Sequence, residues 1–97
     1  MLKRFDTVIT QIEGQPWTKD GAVPLTVGDA AVLALQESTD GDGIEKLRRY
    51  LLAEKIYLAK ETPVEVSAED IVVIKDLVAR RYPAGISGFV FRYLESV

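Results

Sequence analysis

Cysteine and histidine are both missing from this 97-residue chain. Without cysteine there is neither a disulfide framework nor a thiol nucleophile. Without histidine the commonest general base and the commonest transition-metal ligand are gone as well. No glycine-rich phosphate loop of the dinucleotide or P-loop kind occurs. Gly41 and Gly43 resemble a fragment of one, but no strand pattern precedes them and no third glycine or Lys-Ser/Thr pair follows. Long apolar runs are absent too: nothing approaches the ~18–20 residues of a membrane span. The opening MLKRFDTVITQIEG lacks the apolar core of a signal peptide, so the expectation is a soluble, cytoplasmic protein without membrane association. Positive charge is also short, with 12 Lys and Arg against 15 Asp and Glu, a net charge of −3. General affinity for nucleic acid needs the opposite balance.

What is present suits one folded unit. Hydrophobic residues make up 47% of the chain and charged residues 28%, enough for a single core without metal or cross-links. Repeats, low-complexity tracts and linkers are not seen, so residues 1–97 read as one domain.

Along the chain, Phe5–Ile12 (FDTVITQI) is short, β-branched and alternating, which predicts a strand. Asp20-Gly21 predicts a hairpin turn returning Gln15–Thr18 along Ala22–Leu25, with Pro16 and Pro24 confining the pairing to a short edge. Thr26, with Asp29 three residues on, predicts an N-cap for a helix over 26–38 whose buried surface comes from Val27, Ala30, Ala31, Leu33 and Leu35. Ser38–Gly43 (STDGDG) breaks the pattern, and its two glycines and two Asp side chains make a loop that caps the next helix. A helix over 43–60 then carries Ile44, Leu47, Tyr50, Leu51 and Leu58 on one broad face and Leu52 and Ile56 on a second stripe. Apolar on two sides, it reads as the central helix of a bundle. Pro63 ends it, and Val64–Val66 is too short to assign to sheet or linker. Ser67-Ala68-Glu69-Asp70 caps a helix over 67–82 with Ile71, Ile74, Val78 and Tyr82 in line. After Pro83, a last helix over 84–96 places Ile86, Phe89, Val90, Tyr93, Leu94 and Val97 at helical spacing, with Phe91 off the stripe. The expected fold is α+β and mostly helical: a short N-terminal β-hairpin followed by a bundle of four helices.

Chemistry finds little purchase on this pattern. Asp40 and Asp42 have the spacing of calcium-loop ligands, but counting from Asp40 puts Ile44 at the fifth position, and counting from Ser38 puts Arg49 where a bidentate Glu belongs. A carboxylate-pair hydrolase is formally open, yet Asp29, Asp70 and Asp76 share no spacing that singles out a site. The residues therefore point away from an enzyme, with no catalytic, cofactor-binding or metal-binding side chains to nominate. A regulator acting on nucleic acid is the alternative: the last two helices loosely match a helix-turn-helix, and Arg48, Arg49, Arg80 and Arg81 form the candidate basic surface. The last helix, however, exposes Ser87, Gly88, Arg92, Glu95 and Ser96, with a single base among them.

Three stretches carry a family resemblance: EGQPWTKDGAVPLTVGDAAVLAL, GIEKLRRYLLAEKIY and VEVSAEDIVVIKDLVARRYPAGISGFVFRYLE. Their order, with a Leu-Thr-x-Gly-Asp step, a Glu-Lys-x-x-Arg-(Tyr/Phe) helix and a Ser/Thr-x-Glu-Asp cap, resembles a group of small proteins of unknown function encoded by tailed bacteriophages and prophages. The resemblance implies a phage or prophage origin, a bacterial host cytoplasm and a small accessory role, and it brings no catalytic residues with it. Together with the doubly apolar helix it leads to an interaction protein, one that self-associates or docks on a phage protein. Large aromatics anchor interfaces, and the candidate surface comprises Trp17, Leu52, Ile56, Tyr57 and Phe91.

Overall fold

Two reciprocal caps set the frame of the molecule. In the computed structural model, which describes residues 1–96, α1 (Val27–Gln36) starts at Thr26. Thr26 Oγ1 accepts from the Asp29 amide at 3.0 Å, and Asp29 Oδ2 accepts from the Thr26 amide at 3.0 Å. Ser67 and Asp70 repeat this at 3.0 and 2.9 Å to open α3 (Ala68–Arg81). Each box satisfies two amides that have no partner within the helix. Between them, α2 (Gly43–Ala59) is capped by Asp42 Oδ1, which accepts from the Glu45 amide at 2.8 Å. The fourth helix, α4 (Ala84–Glu95), starts at Pro83 without a side-chain cap. Thr26→Ala or Ser67→Ala is expected to lower stability by about 1 kcal/mol. For a domain of this size that is a fall of about 4–8 °C in Tm, read by thermal melting.

The β part is smaller and more broken than the alternation over Phe5–Ile12 predicts. No continuous strand forms there; Val8 bridges Thr26 and Thr10 bridges Pro16, each singly. The reason lies at Ile9, which donates its amide to Leu25 O at 2.8 Å but gives its carbonyl to Trp17 N at 2.9 Å. Leu25 N in turn donates to Trp17 O at 2.8 Å, so Ile9, Trp17 and Leu25 close a ring of three backbone hydrogen bonds instead of one ladder. The hairpin does form, between Thr18–Lys19 and Val23–Pro24, in the register Thr18↔Pro24 and Lys19↔Val23. Asp20 and Gly21 take φ of 57° and 78° at its turn, the region that favours Gly and Asp. Val64–Glu65 joins a sheet, pairing antiparallel with Leu2–Lys3, and Val66 N adds a bond to Met1 O. Val64 and Val66 are buried on either side of exposed Glu65.

The four helices and short strands make a mostly helical α+β fold, with helix bounds within two residues of those expected. The packing order differs. It is α1 that has helices on both sides: it packs against α2 and α3, and α3 packs against α4. Ala30, Ala31 and Ala34 are buried on α1, small enough to let both neighbours come close, while Leu33 is only half-buried. Ile9, Val27, Leu35, Val66, Ile74, Val78 and Val90 are the innermost large side chains. On α4, Ile86, Val90 and Leu94 are buried as their spacing predicts; Val97 lies outside the described residues. Among the described residues no helix is long and apolar enough to cross a membrane.

Candidate interaction surface

The second helix is covered on one side only, where its two apolar faces predict neighbours on both. Leu52, Ala53 and Ile56 face the core, and Ile44, Leu47, Leu51 and Leu58 face solvent. Two features fix this orientation. Ala53 adjoins Ile56 at i, i+3 on the helix surface, so that face can approach the alanine-rich α1 more closely than the leucine-rich face could. Arg49 lies on the same side, only 12% exposed, and donates to Ser38 Oγ at 3.2 Å and Asp40 O at 2.7 Å. The loop that joins α1 to α2 therefore closes over the Arg49 guanidinium.

Ile44, Leu47, Leu51 and Leu58 are left on the outside, together with Tyr50 and Tyr57, each 51–75% exposed. They are ordered. Ile44, Leu47, Leu51, Glu54 and Leu58 stand at i, i+3, i+7, i+10 and i+14, the a and d spacing of a helix that packs along another helix. Glu54 is the one polar side chain in the row, and Arg48 and Lys55 flank it on one side. On the other flank, Tyr50 and Tyr57 form one wall of a groove of about 450 Å³, with Val32, Leu33 and Gln36 of α1 opposite.

Of the five side chains nominated from sequence, Tyr57 alone lies on this open face. Leu52 and Ile56 are core residues, because they occupy the stripe that α1 covers. Trp17 is half-buried at the start of α4, where a Cβ on Gly85 would come within 2.9 Å of its Cζ2. Phe91 is half-buried with Lys75 Nζ 5.1 Å from its ring centroid, and Lys75 also pairs with Glu95. The row is legible in the sequence as an apolar face, but its spacing is that of any amphipathic helix and does not say whether the face is covered.

The four arginines do not form a common basic patch. Arg48 pairs with Glu69 at 3.5 Å, Arg49 with Asp40 at 3.2 Å and Arg81 with Glu37 at 3.0 Å. Arg80 meets Asp40 at 3.0 Å and Asp76 at 2.8 Å. The calcium-like loop is likewise occupied by ordinary work, since Asp40 faces two guanidinium groups and Asp42 caps α2. The Arg80 hydrogen bond, seconded by Arg49, holds the Asp40 carboxyl below the usual aspartate range against the opposing effect of burial. A carboxylate with a lowered folded-state pKa adds stability above its unfolded value of about 3.9 and loses it as pH falls through the folded value. Asp40→Asn is therefore expected to lower the melting temperature at pH 7, and the difference from the parent protein should narrow as the pH is taken below about 3.9. A difference that persists unchanged at pH 3 would count against this pairing. Compared with protein-family models, curated proteins and solved structures, the chain gives no match.

Proposed function

We propose that this is a non-enzymatic interaction protein that docks through the outer face of α2, in the accessory or assembly role that the phage resemblance implies. The observation that carries the reading is the exposed row Ile44, Leu47, Leu51 and Leu58 with the adjoining tyrosines. A soluble chain scatters single apolar residues over its surface, but a contiguous patch with polar edges marks an interaction site. The six side chains present on the order of 800 Å², about what one partner contributes to a standard-size interface.

A Leu47→Glu/Leu51→Glu double variant tests this, because both side chains are exposed and their exchange should leave the fold intact. Circular dichroism and the melting temperature establish that it is folded. Solution mass and affinity capture from host cells are then compared for parent and variant. The proposal expects a partner, either a second copy or another protein, that the variant loses. Identical mass and identical captured proteins for the two would overturn it.

A further inference from the structure

We infer that the partner on this face is a second copy of the chain, its α2 running antiparallel to the first about a twofold axis at Leu51; this rests on the docking role proposed for α2. An interface between identical copies must be complementary to itself under a half-turn. The row on α2 meets that condition. Turned end for end about Leu51, Ile44 exchanges with Leu58, Leu47 with Lys55 and Arg48 with Glu54. Apolar side chains thus fall level with apolar ones at the centre and at both ends. Lys55 can lie its methylene stem along Leu47 with its ammonium in water.

Charge selects the direction. In a parallel pair Glu54 would stand beside its own copy in the middle of the seam, a like-charge contact. In the antiparallel pair each Glu54 is level with Arg48 of the other copy, whose present partner, Glu69, is exposed and 3.5 Å away. That exposed pair costs little to exchange. The area agrees too, since on the order of 800 Å² per copy is what a stable dimer of standard size needs. Tyr50 and Tyr57, on one flank of the seam, supply part of that area at its edge.

The absence of native cysteine makes the arrangement directly readable. Sedimentation across a concentration series is expected to give twice the 10.8 kDa chain mass for the parent protein and a monomer for Leu47→Glu/Leu51→Glu. Under mild oxidation Leu51→Cys should cross-link to itself. Ile44→Cys alone and Leu58→Cys alone should not, because like positions at the seam ends would be about 21 Å apart by helical rise, against the ~7 Å limit of a disulfide. An equimolar mixture of those two variants should cross-link. Self-cross-linking of Ile44→Cys as fast as that of Leu51→Cys would overturn the antiparallel pair. A parent protein that stays monomeric at every concentration would overturn self-pairing altogether. If the Leu47→Glu/Leu51→Glu variant then still lost a captured protein, the docking role of α2 would stand with another occupant; if it lost none, both readings would fall.

Discussion

Ile56→Ala is expected to cost about 2–5 kcal/mol, whereas Leu51→Ala, five residues earlier on the same helix, should change the stability of the single chain by less than about 0.5 kcal/mol. From sequence both residues are large, aliphatic and in the middle of a helical run, on two apolar faces between which the periodicity does not choose. Their environments differ completely, with Ile56 2% exposed in the core and Leu51 51% exposed. Truncating Ile56 removes buried methyl groups and leaves a void between α2 and α1 that the rigid alanine face of α1 can fill only by moving. Truncating Leu51 removes atoms already in contact with water. At about 4–8 °C per kcal/mol, the first substitution should lower the Tm by at least about 8 °C. Melts belong at the lowest usable protein concentration, because any self-association through Leu51 would add stability that grows with concentration. Equal losses for the two variants would mean that the leucine face of α2 is buried after all.

That contrast also marks how far the sequence could be read. Helix positions were legible because the chain announces them: Thr26 and Ser67 with an acid three residues on, Asp42 before Gly43, and Pro63 and Pro83 as stops. These are local signals, and the caps they predict are formed in the structure. Which face of a helix meets a neighbour is a non-local question. On α3 and α4 it was answerable, because each has one dominant apolar stripe opposite charged residues, and Ile71, Ile74 and Val78 or Ile86, Val90 and Leu94 are indeed buried. On α2 two stripes compete, and the larger one lost. The choice rests on the fit of Ala53 against α1 and on Arg49 reaching the loop carbonyl of Asp40, neither of which has a periodic signature. The same limit applies to Phe5–Ile12. Its alternation is that of a strand, yet Ile9 divides its backbone bonds between Leu25 and Trp17, partners distant in sequence whose register no local pattern encodes. The candidate surface inherits the first of these limits, since it includes Leu52 and Ile56, which are buried.

Gly28→Ala is expected to destabilise the protein by about 1–3 kcal/mol, although Ala is the better helix former. Gly28 lies in the first turn of α1 and is buried, and its amide donates to Phe5 O at 2.7 Å. A Cβ at this position would come within 2.8 Å of that same carbonyl oxygen and 3.2 Å of Phe5 Cβ. Both obstacles belong to the core of the N-terminal segment: Phe5 is 2% exposed, and its carbonyl is backbone that cannot rotate away. To admit the methyl group, the segment must withdraw from α1, stretching the Gly28–Phe5 hydrogen bond and loosening the neighbouring bond from Val27 N to Thr7 O at 2.9 Å. The glycine in the Leu-Thr-x-Gly-Asp step thus has a steric role: it lets the chain before the hairpin lie directly on the start of α1. Gly88 supplies the control. It sits exposed in the middle of α4, and a Cβ there meets nothing within 4 Å. Gly88→Ala restricts the unfolded chain and favours the helix, so it should raise stability by about 0.5–1 kcal/mol. Denaturant melts of the two variants should therefore move in opposite directions from the parent midpoint. A stabilising Gly28→Ala would mean that Phe5 does not rest on α1 as closely as the structure places it.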